Sequence, residues 1–440
     1  MRASRTASFL RREVAARIST LTRYCDRLVQ WPAPAWEDGE LLELCDCEEK
    51  LRVAETDPLP DLSGDEDARV SVLLNGTFNY HFDIQGLLLD MRARLTRGSR
   101  VIAVCYNPYL KPVYRLADVL GLRNAPPPTT FVTHAALASI AKAAGYEIVR
   151  VRAVAHCPFE WFGLGRAINR LLSALPGVRN LALVMVVFLR PILPARDRPS
   201  LSVIVPARDE RGNIEPALER LPDFDGADVE VIFVEGHSTD GTWEEIQRVV
   251  EAWKDRIPCR AYRQSGVGKV DAVRLGFSEA RNELLTILDA DLTMPPELLT
   301  RYYDAWCDGL ADFINGSRLI YPMEGEAMRP LNLLGNLLFA KLLSFVLDMR
   351  ISDSLCGTKL VSRRDHERFT AWRRDFGDFD PFGDFELLFP AATLALGCVD
   401  IPVRYRDRTY GSTSIRRFTH GWQLLQMSAV GLFRIKLGAG

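Results

Sequence analysis

The 440-residue sequence has no CxxC pair and no regular spacing among its six histidines, which excludes the usual structural zinc patterns. Its nine cysteines are scattered rather than arranged as a disulfide framework, a usage that suits a reducing cytoplasm. An excess of one charge is missing too. With 55 basic and 57 acidic residues the net charge is −2, so there is no global attraction to nucleic acid and no nucleic-acid partner is expected. No apolar run approaches the ~20 uninterrupted residues of a spanning helix. Residues 181–189 are too few, and residues 331–347 are interrupted by Asn332, Asn336 and Lys341. The second run suits a buried packing helix, the commoner fate, or an amphipathic helix lying on a membrane surface. The basic opening MRASRTASFLRREVAARIST lacks the apolar stretch and small-residue site of a secretory signal. These readings predict a cytoplasmic protein, with 331–347 as its candidate peripheral contact at the inner membrane face.

What is present divides the chain. Its length exceeds what one core usually supports, so two domains are expected. Residues 1–66 read as a helical and linker segment, ending in the acidic, polar stretch AETDPLPDLSGDEDA. Residues 67–195 carry the strand-like runs VSVLLNGTF and SRVIAVCY around the helical DIQGLLLDMRARL. HAALASIAKAAG follows, with Gly145 as its C-cap, and leads into the strand-like YEIVRVRAV. PILPARDRPS has the composition of a boundary, which places the break at 196–200 and a second domain over 200–440. In that domain LSVIVP, VEVIFVE and ELLTILDAD alternate with helical segments, the pattern of a mostly parallel α/β sheet.

The most informative short motif is Asp289-Ala290-Asp291, at the end of the run LLTIL. Residues two apart on an extended chain project to one side, so both carboxylates can face one point beyond the strand. Hard oxygen ligands there suit Mg²⁺ or Mn²⁺ bridging a diphosphate. Three further segments accompany it: VPARDERGNI with Pro206, Arg208 and Glu210; VEGHSTDGTWEEI with Glu235 and Asp240; and GVGKVDAVRLGF with Lys269 and Arg274. Taken singly, each has an ordinary explanation; Asp240 and Thr242, for instance, suit a turn and a helix cap. In FGDFDPFGDFELLF, the carboxylates Asp378, Asp380, Asp384 and Glu386 are candidates for a general base. Downstream, Arg404, Arg406, Arg408, Arg416 and Arg417 are candidates for positioning a phosphate, or simply a solvated edge.

Order and spacing add weight. SVIVPARDE, VEGHSTDGT, GKVDAVRLGF, LDADLTMPPE, NGSRLI, SDSLCGTKL and RYRDRTYGSTSI resemble, in sequence and order, the family 2 glycosyltransferases, most closely the branch with dolichol-phosphate mannose synthases. The resemblance runs over about 201–420. It implies a GT-A fold, Rossmann-like with a mixed, mostly parallel sheet, and transfer of one sugar from a nucleotide-diphosphate sugar, with inversion. The acceptor it implies is a polyprenyl phosphate or another membrane-proximal group. Pro206, Arg208, Glu210, Glu235 and Asp240 would line the donor pocket, with Lys269, Arg274, Ala290, Arg318 and Arg408 near it. Asp289 and Asp291 would hold Mg²⁺ or Mn²⁺. Asp384, Asp291 and Arg404 are the residues the resemblance marks as catalytic. The chain departs at Glu235-Gly236-His237, where many relatives carry two adjacent acids, and it lacks the QxxRW signature of processive synthases, which favours single transfer.

Residues 67–155 resemble the C-terminal part of a class I methyltransferase, truncated before its glycine-rich loop and ribose-binding acid. The resemblance implies a non-catalytic α/β docking domain. Three other functions stay open: a hydroxyl acceptor with Asp384 as general base, an S-adenosylmethionine-dependent methyltransferase, and a silent sugar-nucleotide-binding module.

Overall fold

The computed structural model describes residues 2–64, 68–121, 123, 125–321, 330–378, 380, 383–406, 410 and 417–438, with side chains for all of these but 2–5, 330–332 and 417–420. The chain forms two compact units that divide at Leu193/Pro194, with Thr393–Ala395 and Leu432–Gly440 counted with the first.

The first unit is built on six strands: β1 (Arg27–Ala33), β2 (Glu49–Ala54), β3 (Val70–Asn75), β4 (Arg100–Tyr106), β5 (Tyr146–Val154) and β6 (Val184–Pro191). Their order is β2-β1-β3-β4-β6-β5; β6 runs antiparallel to both neighbours and the other pairs are parallel. Val72, Leu74, Val101 and Ala103 on the central strands are fully buried, with Leu88, Met91 and Ala141 packed over them from flanking helices. The sheet begins before residue 67. Residues 27–33 and 49–54 read as helix and linker because RLVQWPA contains a proline and EKLRVA is charged and largely exposed, as an edge strand is.

The second unit holds β7 (Leu201–Ala207), β8 (Val229–Glu235), β9 (Cys259–Arg263), β10 (Leu284–Ile287), β11 (Phe313–Ser317), β12 (Lys359–Ser362) and β13 (Cys398–Pro402). The order is β13-β11-β12-β10-β7-β8-β9. Strands β10, β7, β8 and β9 are parallel, β12 is antiparallel to β10 and β11, and β13 pairs parallel with β11. One face of β7 and β8 is apolar because helices cover it: Val203, Val205, Val231 and Phe233 meet Ile214, Leu218, Ile246 and Val249 in one core. Gly276 lets the helix Lys269–Glu279 approach this sheet, since a Cβ there would collide with Ile204.

The helix Pro330–Leu347 buries Phe339, Leu343 and Val346 while exposing Leu334 and Leu338. Among the described residues no helix is long and apolar enough to cross a membrane.

His366 carries an acid-sensitive part of this unit's stability. Its ring lies edge-on to Phe277, centroids 4.6 Å apart, and burial followed by nearby Arg373 pushes its pKa down to about 4. The unfolded chain therefore takes up a proton that the folded chain refuses as pH falls from about 6.5 towards 4, and stability falls with it. Between pH 7 and 4 the wild type should lose roughly 3 kcal/mol more than His366→Leu, read by urea unfolding at each pH.

Candidate active site

The second sheet reverses direction of growth at β7: the chain proceeds to β8 and β9 on one side, then crosses to β10 on the other. The crevice outside the carboxyl ends of β7 and β10 is where such sheets bind ligands. Asp289 and Asp291 follow β10 directly, and Leu288 N–H bonded to Ile204 O holds this turn against β7. Strand β12 runs backwards, so its first residue, Lys359, lies at the same end as the last residues of β10 and β11. Arg318 leaves β11 there, and β13 delivers Arg404 and Tyr405 from the neighbouring edge.

Four charged side chains interlock at this end. Lys269, at the start of its helix, donates to Asp289, while buried Lys359 donates to Asp384 and to Cys356 O. Burial alone would lower the Lys269 pKa, but Asp289 and then Asp384 raise it above its ordinary value. Burial would raise Asp289; Lys269, with Lys359 and Arg318, drives it down instead. Arg318 is held by buried Asp353 through two bonds of 2.7 and 2.9 Å, and Asp353 also accepts the N–H of Arg318 and of Leu355. Asp291 Oδ1 accepts from Thr293 N at 3.1 Å and Thr293 Oγ1 at 2.7 Å. Gly357 closes the cradle: a Cβ there would collide with Lys269 Nζ and the Asp289 carboxylate.

This donor set fits a divalent cation shared with a ligand. Among the described residues no three metal-ligating side chains cluster, so Asp289 and Asp291 would leave most of a Mg²⁺ or Mn²⁺ shell to diphosphate oxygens and water.

The loops after β7 and β8 are stapled to each other. Asp240 accepts from Arg211 N at 3.2 Å, from Thr242 N at 3.0 Å and from the Tyr410 hydroxyl at 3.2 Å. Burial opposes ionisation of Asp240, but these donors hold it below the usual carboxylate range. Glu210 is buried and accepts from Asn213 Nδ2 at 2.6 Å; buried Glu235 accepts from Ser238 N. Arg208 is 61% exposed at the loop surface, beside partly buried Pro206. Asp240, Glu210 and Glu235 thus shape the loops as well as offering oxygens.

On the other flank lies a cavity of about 790 Å³ lined by Arg301, Arg404 and Arg406 together with Pro295, Leu298, Tyr321 and Glu297, whose carboxylate is taken by Arg220. Arg406 N–H bonds Thr293 O, which ties this wall to the turn containing Asp291.

With this geometry the comparisons become informative. The model of the family described as Glycosyl transferase family 2 matches residues 202–370. Residues 202–370 form a family 2 glycosyltransferase domain. A dolichol-phosphate mannosyltransferase of Pyrococcus furiosus is 32% identical over 121 residues, 27% of this chain and 33% of that protein. One from Saccharomyces cerevisiae is 37% identical over 114 residues, 24% of this chain and 41% of that protein. The chain therefore spans well under half the length of both. A dolichyl-phosphate hexose transferase of Haloferax volcanii is 27% identical over 221 residues, 50% of this chain and 89% of that protein. Among solved structures, a mannosyltransferase from Pyrobaculum calidifontis in complex with GDP-Man and Mn²⁺ has 18% identity, covers 56% of this chain and 71% of its own, and has a TM-score of 0.36.

Within the second unit, the structure gathers Asp289, Asp291, Lys269, Arg318 and Asp384 around one crevice. Arg274 is engaged by carboxylates. That guanidinium is taken by Asp378, at 2.6 and 2.9 Å, and by Glu386, so its charge is already matched. The Ala290 methyl is buried in the core, which leaves only its backbone for a ligand. Arg408, Arg416 and the Arg417 side chain lie outside the described residues. Lys359 and Arg301 escaped the sequence reading: Lys359 looks like any lysine at the start of a strand until β12 is known to run in reverse, and Arg301 is a surface position on the helix Leu299–Cys307.

In the first unit the corresponding switch point, between β1 and β3, is filled by the chain itself. Buried Glu37 accepts from Gln30 Nε2 at 2.7 Å and Asn75 Nδ2 at 3.0 Å.

Proposed function

We propose that the chain transfers a single hexose from a nucleotide-diphosphate sugar to a polyprenyl phosphate, with inversion, in a GT-A-type domain. The observation that carries this reading is the constellation of Asp289, Asp291, Lys269 and Lys359 at the β7/β10 crevice beside an arginine-lined cavity. The relatives named for dolichyl-phosphate sugar transfer support it.

Asp289 and Asp291 would hold the divalent cation, whose positive charge would stabilise the leaving diphosphate. Lys269 adds a second positive charge at the same point, and preorganised charge of this kind is usually the largest catalytic contribution. Arg318, fixed by Asp353, keeps its guanidinium aimed without reorganisation. On the acceptor side Arg301, Arg404 and Arg406 orient the phosphate. With a second pKa of about 6, a phosphate acceptor is largely ionised at neutral pH, so positioning matters more than proton removal. Asp384, whose Oδ1 accepts from Lys359, is the general base of the alternative reading, a hydroxyl acceptor.

The first unit acts, on this proposal, as a non-catalytic docking domain; the Glu37-filled switch point supports that role over methyl transfer.

Thermal-shift measurements of the full chain with UDP-, GDP- and dTDP-sugars, each with Mn²⁺ or Mg²⁺, test the donor half. One nucleotide class should raise the melting point only when metal is present. The absence of a shift with every pair would overturn the donor assignment.

A further inference from the structure

The helix Leu164–Ala174 in the first unit is inside out. Its buried face is small and polar: Gly165, whose Cβ would strike the backbone oxygen of Phe159, and Asn169, which clamps the preceding loop. Asn169 Oδ1 accepts from His156 N at 2.8 Å and Cys157 N at 2.7 Å, and its Nδ2 donates to Cys157 O. Its exposed face carries Leu164, Ala167 and Leu171, continued by Leu175 at the C-cap, spaced three or four residues apart as one stripe of a helix. Leu164 and Leu171 are each 58% exposed.

The loop that feeds this helix adds aromatic rings. Phe159 and Trp161 stack at 5.6 Å, and Phe162 stands fully clear of the surface. Trp161 and Phe162 have φ of 39° and 52°, left-handed values that bulky residues rarely adopt, and these turn the rings outward. A soluble surface gains nothing from a leucine stripe capped by three aromatics.

Charge identifies what covers the face. Residues 155–182 hold three arginines, Arg166, Arg170 and Arg179, and one acid, Glu160. Glu160 is already paired with Arg12 at 3.3 Å and Arg166 at 3.7 Å, and Arg166 also meets Glu13 of the N-terminal helix at 3.3 Å. A second copy of the chain meeting this face about a two-fold axis would set arginines against arginines. An anionic lipid leaflet matches all three features: headgroup phosphates for the arginines, the interfacial zone for Trp161, and the upper acyl region for the leucines and Phe162.

We propose that the loop around Trp161 and the helix Leu164–Ala174 form a docking surface for an anionic membrane leaflet. The inference deepens the polyprenyl-phosphate reading and rests on it only for its purpose, namely keeping the enzyme where a lipid-linked acceptor resides.

The test is co-sedimentation of the full chain with vesicles of phosphatidylcholine containing about 30 mol% phosphatidylglycerol, or of phosphatidylcholine alone. The wild type should bind the anionic vesicles about tenfold or more tightly than the neutral ones, and Trp161→Ser/Phe162→Ser and Leu171→Glu should each lose about that factor. Because these side chains are exposed, both variants should keep the wild-type melting point. Asp289→Ala separates the two ideas: it should lose sugar transfer yet still bind vesicles. Wild-type protein that ignores anionic vesicles, variants that bind as well as wild type, or a wild-type dimer that both variants convert to monomer would each overturn the proposal.

Discussion

Replacing both Asp289 and Asp291 by asparagine should lower sugar transfer by about a thousandfold or more, equivalent to roughly 4 kcal/mol of lost transition-state stabilisation. The reason lies in what remains. Among the described residues no group of three or more metal-ligating side chains could take over the cation, and Lys269 alone offers a single positive charge to the leaving diphosphate. The loss should appear in kcat and kcat/KM alike, because the charge being stabilised is largest in the transition state. Metal-dependent stabilisation by the donor should vanish with it, whereas the melting point of the ligand-free protein should move much less, since both carboxylates are partly exposed at the crevice. Near-normal transfer by the double variant in excess chelator would remove the metal from the mechanism.

The second large effect concerns Lys359 and Asp384. Lys359 is 1% exposed, and among the described residues its ammonium donates to Asp384 and the Cys356 carbonyl. Cutting one partner out of a buried ion pair leaves a charge without compensation and typically costs about 3–5 kcal/mol. Asp384→Asn and Lys359→Met should each destabilise the chain by about that much. Lys359→Met/Asp384→Leu should recover a substantial part, since replacing both charges with apolar groups removes the desolvation problem. Turnover separates the acceptor readings once stability is accounted for. With a polyprenyl phosphate acceptor the stable double variant keeps measurable transfer; with a hydroxyl acceptor needing Asp384 as base, transfer is lost in the double variant even though folding returns. Additive stability losses in the double variant would show that the two side chains are not coupled as the structure places them.

How far the sequence was legible follows from strand direction. Parallel strands ending in chemistry announce themselves: LLTIL runs straight into Asp289-Ala290-Asp291, and β7 and β8 run straight into the loops with Glu210 and Asp240. A reversed strand hides its contribution, because the residue that matters stands at its beginning. Lys359 is the example, and it decides the setting of Asp384. Arg274 shows a different limit. Its sequence position beside Lys269 suggested phosphate contact, yet one turn and a half along the helix the side chain meets Asp378 and Glu386 from a segment about a hundred residues away. The early strands β1 and β2 were missed since neither alternates cleanly: one contains Pro32 and the other is an exposed, charged edge. The inside-out helix Leu164–Ala174 has ordinary helical spacing; only its orientation in the fold reveals that the apolar side faces out.

The most direct measurement is to incubate the full chain with a radiolabelled nucleotide sugar of the class that stabilises it, Mn²⁺ and a polyprenyl phosphate in vesicles, and to extract the lipid phase. Labelled sugar in that phase, linked through an acid-labile phosphodiester and absent when Asp289→Asn/Asp291→Asn replaces the wild type, is the expected result. Donor binding without any label reaching the lipid, or label transferred only to a hydroxyl acceptor, would contradict the assignment of a polyprenyl phosphate sugar transferase.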